Sequence, residues 1–240
     1  MDQGDLGRNV ICVKWGDKFS SDDVNRLYRM VKKNVSLPFT FYCMTEDPSG
    51  IDPDVNIIPL NLKLDLRAWW WKICLFENNI VPGDVNVYFD LDVVIQNNID
   101  HFFNVGNKIK IIDHSEKDGL YPISGDHGSV TYYNSSILAW KNNTASDIFS
   151  LFFVNSALYR KVYVGLDRFL FNEISNNRFV AWEDNDYYFR TKQGQDIIPN
   201  DKIPHSWGSI AAYFYPEKNV CVFNQSHEPK FYKGYEDYFL

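Results

Sequence analysis

The sequence predicts an α/β fold, with a mostly parallel central sheet flanked by helices in a single domain. Three observations carry this. Short apolar β-forming runs alternate with helical patterns through the first half of the chain, as crossover connections between parallel strands require. The run Val85 to Phe89 is nearly continuous β-former, reads as a central buried strand, and passes directly into Asp90-Leu91-Asp92. No internal repeat, low-complexity segment or linker divides the 240 residues, a length that suits one large α/β domain.

The elements follow in order. Asn9 to Lys14 is a short apolar strand. Ser20 and Ser21 can cap a helix whose first turn carries Asp22 and Asp23, favourable at the positive end of its dipole. Val24, Leu27, Tyr28 and Val31 then recur at helical spacing, and Lys32 and Lys33 crowd the C-terminal end. Pro38 closes this helix, and Phe39 to Met44 is a second strand ending in a turn through Gly50. Val55 to Leu60 reads as a third strand, and Leu66 to Asn79 as a second helix stopped by Pro82-Gly83. Consecutive helical residues turn by about 100°, so Trp69, Trp70 and Trp71 cannot share one face. Trp69 falls on a buried stripe with Ile73, Phe76 and Ile80, which leaves Trp70 or Trp71 to line a pocket or interface. The second half is less regular. It offers strands near Ile109–Ile112 and Val130–Tyr133, helices over Asp147–Tyr159 and Asp167–Ser175, and a last strand over Val220–Phe223.

Composition excludes some functions. The net charge is −7 and no basic cluster stands out, whereas a nucleic-acid surface needs clustered Lys and Arg to displace counterions. Aromatic residues make up 17% of the chain, a mild pointer to a flat amphipathic ligand beside the commoner explanation of an aromatic core. Tyr132, Trp140, Trp182, Tyr187, Tyr188 and Trp207 all sit in the second half, most of them expected in the core. Cys12, Cys43, Cys74 and Cys221 each lie inside an apolar run without metal-ligand spacing, so they read as reduced core residues. The first residues resemble neither a signal peptide nor an anchor, and no apolar stretch approaches the ~20 residues of a membrane span. A cytoplasmic protein is the expectation.

Asp-x-Asp occurs three times. Asp52-Pro53-Asp54 sits in a turn and Asp184-Asn185-Asp186 in a polar stretch, so both read as solvated loop carboxylates. Asp90 and Asp92 differ because they end a buried strand, where unpaired carboxylates are costly to desolvate and would repel one another without a cation between them. A hard divalent ion, Mg²⁺ or Mn²⁺, takes such oxygen ligands and keeps positions open for phosphates. His101, His114, His127 and His205 have no partner at metal spacing and read as ordinary loop residues.

Two known enzyme classes place carboxylates at such a strand end. Asp90-Leu91-Asp92-Val93-Val94 resembles the motif of haloacid-dehalogenase-type phosphatases, in which Asp90 would be the nucleophile and Asp92 the acid/base. There, however, the motif follows the first strand and a later acidic metal motif is needed. Here at least two strands and two helices come first, and Gly125-Asp126 lacks a convincing acidic partner downstream.

The whole order more closely resembles the GT-A glycosyltransferases, in particular a bacterial and viral group distantly like the glycogenin-type family 8 enzymes. The resemblance is densest from Val10 to Ile99. It rests on Cys12-Val13-Lys14-Trp15-Gly16-Asp17-Lys18-Phe19, Pro38 to Asp47, Trp69-Trp70-Trp71-Lys72, and Tyr88-Phe89-Asp90-Leu91-Asp92-Val93-Val94-Ile95. It implies a Rossmann-like single domain, with residues 1–100 as nucleotide-binding half and 101–240 as acceptor half and C-terminal loop. It implies transfer of a sugar from a nucleoside-diphosphate sugar, most simply a UDP-sugar, to a glycan or other hydroxyl acceptor.

The site residues follow from the same resemblance. Lys14 and Trp15 would flank base and ribose, and Asp47 would contact the nucleoside. Lys72, read from its own chemistry directly after the tryptophan run, could reach the diphosphate as a point charge, and by the resemblance Asn134 in Tyr133-Asn134-Ser135-Ser136 would lie near the donor sugar. Asp90 would serve both metal and ribose-diphosphate, with Asp92 as its partner on the metal. Asp167, in Gly165-Leu166-Asp167-Arg168, matches the acidic position at a helix head near the reacting centre. It would act as general base in an inverting enzyme, whereas a retaining one would lean on the donor's own phosphate. Relatives carry Phe-His-Gly-x-x-Lys-Pro after the last strand, where this chain has Phe223-Asn224-Gln225-Ser226-His227-Glu228-Pro229. His227 is the expected third metal ligand, three residues past the strict His position, which Asn224 occupies as the alternative. A non-catalytic sugar- or nucleotide-binding module is the other reading.

Overall fold

The computed structural model describes residues 7–115, 131–142, 144–190, 196–197, 217–222 and 238. The chain opens with β1 (Arg8–Lys14), α1 (Ser21–Asn34), β2 (Thr40–Thr45) and β3 (Asn56–Pro59). Ser20 caps α1 through a reciprocal capping box with Asp23, which satisfies two otherwise orphaned amides. The predicted apolar face, Val24, Leu27, Tyr28 and Val31, is buried.

β4 (Val85–Phe89) and β5 (Val93–Ile95) flank the Asp90–Asp92 turn, and β6 (Ile109–Asp113) and β7 (Tyr133–Lys141) follow. The main sheet has seven strands in the order β3-β2-β1-β4-β7-β6-β8, with β8 at Phe179–Ala181. β7 alone runs against the rest, pairing antiparallel with both β4 and β6, so the sheet is mostly parallel as predicted. All five residues of β4 are buried, and alternate ones serve opposite faces. Val85, Val87 and Phe89 join Val10, Cys12 and the α1 face in one apolar cluster. Tyr88 points to the other cluster, with Ile11, Trp70, Trp71 and Trp140. A second, four-stranded sheet runs β10-β9-β11-β5, adding β9 (Tyr187–Arg190), β10 (Asp196–Ile197) and β11 (Val220–Val222).

Several expectations are corrected. The segment expected as an α-helix over Leu66–Asn79 is instead a 3₁₀ stretch, Ala68–Phe76. Trp70, Trp71, Ile73, Cys74, Leu75 and Phe76 are all buried, so there is no polar face to set an α-helical stripe, and tertiary packing decides the path. Trp70 and Trp71 therefore enter the core, while Trp69, expected on the buried stripe, is half exposed. The helix expected over Asp147–Tyr159 is broken at Asn155 into α2 (Ser146–Val154) and α3 (Ser156–Val162). A last helix, α4, spans Leu166–Glu173. Asp186 is no solvated loop residue. It is buried, 2.8 Å from His101 Nε2, and accepts the Glu183 amide at 2.8 Å. Trp140, Trp182, Tyr187 and Tyr188 belong to the core, and the four cysteines are free and buried. No helix among the described residues is long and apolar enough to cross a membrane.

Candidate active site

The sheet brings three loops to one edge. β1 ends at Lys14 and leads into Trp15-Gly16-Asp17; β4 ends at Phe89 and leads into Asp90-Leu91-Asp92. Because β7 is antiparallel to β4, its first residues, Asn134-Ser135-Ser136, lie at this same edge, and the Asp90 amide donates to the Ser136 carbonyl at 2.9 Å. Gly16 holds a left-handed φ of 63° and its amide donates to Glu46 Oε1 at 2.6 Å, which fixes the β1 loop to the β2 loop. In open α/β sheets ligands bind at such carboxyl ends. Here these loops, with Ala68, Trp69 and Lys72 and the head of α4, line a cavity of about 550 Å³.

Charge is concentrated on the cavity floor. Lys72 Nζ lies 2.7 Å from Asp90 Oδ1 and 2.9 Å from Oδ2, and donates to Ser135 Oγ at 3.3 Å. Tyr88 donates its hydroxyl to Asp90 Oδ1 at 2.5 Å. Burial pushes the Tyr88 phenol well above its ordinary range, and Asp90 pushes it further, so it stays a donor. Burial pulls the Lys72 ammonium down, but Asp90, Asp167 and Asp92 together outweigh it, and the group is held above its usual range as a cation.

Asp167 stands in the first turn of α4 and accepts the Ser135 amide at 3.0 Å. Burial raises its carboxyl above the usual range, against the pull of Lys72 and the Ser135 hydrogen bond. Asp92 is buried beside Asp90 in the same wall. Four carboxylates, Asp17, Asp90, Asp92 and Asp167, thus share the cavity lining with three cations, Lys18, Lys72 and Arg168.

The expected residues divide accordingly. Trp15, Lys72, Asp90, Asp92, Asn134 and Asp167 come together around the cavity. Lys14 and Asp47 do not line it. Lys14 is buried, and Asp47 is exposed after β2, one strand farther from β4, where the Ser49 hydrogen bond lowers its carboxyl. His227 and Asn224 lie outside the described residues, as do Asp126, His127, His205 and Trp207. Sequence reasoning missed Lys18, Phe19, Trp69, Gly165 and Arg168 as lining residues. For Arg168 the available signal was its place directly after Asp167 at the helix head.

Among the described residues no cluster of three or more His, Cys, Asp or Glu side chains forms a metal cage. The donor set nevertheless fits a hard divalent ion of the kind held by one or two carboxylates together with substrate phosphates. Asp90 Oδ2 accepts only from Lys72 among the contacts above, and a carboxylate oxygen has room for a second partner.

No protein-family model matches the chain, and no curated protein matches it in sequence. Solved structures do resemble it. An active-site mutant of LgtC superposes with a TM-score of 0.65 at 11% identity, covering 96% of this chain and 93% of that one. The galactosyltransferase LgtC in complex with donor and acceptor sugar analogues gives 0.61 at 12% identity over the same shares. The apo bifunctional glycosyltransferase WbbM gives 0.64 at 12% identity, over all of this chain but 50% of its own length. At this identity the likeness shows the fold, and the fold is GT-A.

Proposed function

We propose that the chain is a metal-dependent glycosyltransferase of the family 8-like group, transferring a hexose from a UDP-sugar to a hydroxyl acceptor. The observation that carries this reading is the Asp90–Asp92 turn at the carboxyl edge of β4, with Lys72 on Asp90 and Asp167 facing the same cavity. That the similar LgtC structure is described with donor and acceptor sugar analogues supports it. Residues 1–100 are then chiefly the nucleotide-binding half, and residues 101–240 chiefly the acceptor half and C-terminal loop.

Each residue has a task in this reading. Asp90 and Asp92 would hold Mn²⁺ or Mg²⁺, which when bound neutralises charge on the departing diphosphate. Lys72 is a preorganised cation, shielded from water and already charged, placed to meet phosphate oxygens without reorganisation. Trp15 packs against the base, and Asn134 and Ser135 border the transferred sugar. Asp167 takes the acceptor proton, its raised affinity for protons suiting a base that must hold one. The aspartate-phosphatase reading is not favoured, because its motif follows the first strand of the domain, whereas Asp90 follows β4, after three strands and α1.

The test is a thermal-shift screen over nucleotides and nucleotide-sugars, with and without Mn²⁺, followed by UDP release on incubation with an acceptor panel. A ligand that binds only the folded state raises its stability by mass action. UDP-sugars should stabilise the protein more strongly with Mn²⁺, and release of UDP should follow. Stabilisation by UDP without any hydrolysis or transfer would make the chain a binding module instead.

A further inference from the structure

Trp69 is the one tryptophan among the described residues that both lines the cavity and stands half exposed, at 50%. Its neighbours Trp70 and Trp71 are buried at 6% and 1%. An indole left in water beside two that are sunk in the core calls for a reason, and the backbone supplies a first part of it. Ala68 carries a φ of 48°, a left-handed conformation unfavourable for a non-glycine residue. This kink precedes Trp69 directly, within a run whose later members turn inward.

The second part comes from the opposite wall. A Cβ placed on Gly165 would lie 2.8 Å from Trp69 Nε1 and 2.9 Å from Cδ1. The five-membered ring of the indole therefore rests directly on the Gly165 backbone. Gly165 has an extended φ of 173°, which any residue adopts. Its lack of a side chain serves the indole, not the chain path. One side of Trp69 is thus held against the main chain at the head of α4, and the ring's remaining surface is presented to the cavity and its mouth.

From these observations we infer that Trp69 is a binding platform for the acceptor, whose hexopyranose ring lays its apolar C–H face on the indole. The inference rests on the glycosyltransferase reading above. Position in the sheet separates this subsite from the nucleoside. Trp15 extends from β1, on one flank of Asp90, whereas Trp69 rests on α4, which packs on β7 and reaches Ser135 through Asp167, on the other flank. A half-exposed ring suits a sugar that arrives last and stays partly in solvent. The transferred sugar, buried at the reacting centre, needs a closed surround.

The experiment uses the full chain in three forms: wild type, Trp69→Ala and Gly165→Ala. The glycine variant keeps the indole and allows the backbone its present φ, but the added Cβ forces the ring off its seat. Titrations are made with UDP, with UDP-glucose and UDP-galactose, and with methyl glucosides and methyl galactosides, each in the presence of Mn²⁺. At least one methyl glycoside should bind wild type, and both variants should weaken that binding tenfold or more. UDP and UDP-sugar affinities should change less than about threefold, with melting temperatures near wild type. Glycoside binding that survives both substitutions, or no glycoside binding by a wild type that binds UDP, overturns the platform. Weakening of UDP-sugar relative to UDP in both variants overturns its assignment to the acceptor and gives it to the donor. A wild type that binds glycosides through Trp69 but no UDP-sugar leaves the platform standing and removes the transferase reading instead.

Discussion

Lys72 Nζ straddles the Asp90 carboxylate, 2.7 Å from one oxygen and 2.9 Å from the other. The protein thereby places its own monovalent cation on the group we assign to a divalent one. Lysine and metal then compete for Asp90 while both favour a bound diphosphate, and opposite effects on the two ligands follow. Lys72→Met should weaken UDP binding and slow turnover by about 10²–10³, the usual loss for one preorganised donor to developing charge. The same change should tighten Mn²⁺ binding in the absence of nucleotide. Removing one partner from a buried pair costs about 3–5 kcal/mol, so the variant should melt early and recover more with Mn²⁺ than wild type does. Calorimetric Mn²⁺ titration and melting with and without metal check this; weaker metal binding in the variant would show that Lys72 does not compete.

The metal assignment separates the three Asp-x-Asp pairs. Asp92→Asn should abolish the Mn²⁺-dependent tightening of UDP binding, and Asp54→Asn, in an exposed turn, should leave it intact. Asp186→Asn is expected to lower the melting temperature, because its carboxylate is buried against His101 and the Glu183 amide, yet to keep the metal response. Equal loss of metal dependence in all three variants, or in none, would falsify the assignment.

Asp167 yields a prediction about pH. Its carboxyl is raised chiefly by burial, so the ionised form is less comfortable folded than unfolded. Any stability it contributes is present only below its unfolded pKa and is lost as pH rises through the higher folded one. At neutral pH the charge is therefore a net burden, and Asp167→Asn should stabilise the protein by on the order of 1 kcal/mol. The gain should shrink as pH falls through the raised folded pKa and be gone below about 4, where the carboxyl is protonated in both states. Turnover should be lost throughout. Equal or lower stability of the variant at pH 7 would mean that the Lys72 attraction outweighs burial.

What was legible in the sequence was local. The α1 cap and face, the β4 run and its aspartate turn each depend on neighbours within a few residues, and each is found as read. The Trp69–Trp71 segment was not legible, because a run apolar on every side carries no period, and a left-handed Ala68 leaves no mark in composition. The second sheet was hidden for another reason: β11 pairs with β5 across more than a hundred residues of chain. The same distance concealed the His101–Asp186 contact, which makes Asp186 structural, whereas Asp90 and Asp92 are the pair we assign to the metal. β8 exposes two of its three residues, too few buried positions to show an alternation.

The cysteines test the core directly. Cys12 stands opposite Cys43 in the parallel pairing of β1 with β2, and burial pushes the Cys12 thiol well up. All four are free and buried. Unfolded, non-reduced protein should therefore titrate four thiols, and the native protein should react slowly at each, since the thiolate is the reactive form. A count of two would require a disulfide.

The C-terminal segment carries the last prediction. β11 pairs antiparallel with β5, and Val222 lies opposite Val93, one residue past Asp92. The chain therefore leaves its last described strand beside the proposed metal ligands. An extended chain covers at most about 3.5 Å per residue, so Asn224 and His227, two and five residues beyond Val222, are both within reach of Asp92. An imidazole is a borderline-soft ligand, better suited to Mn²⁺ than to Mg²⁺. If His227 completes the shell, His227→Ala should cut Mn²⁺-supported turnover strongly and Mg²⁺-supported turnover much less. Metal binding should also weaken as pH falls through about 6.5, where a free imidazole takes its proton. Asn224→Ala should then be mild, at about 1 kcal/mol for one ordering hydrogen bond. The opposite ranking, with Asn224→Ala severe and His227→Ala silent, would put an amide oxygen in the shell, and the metal preference should then shift toward Mg²⁺.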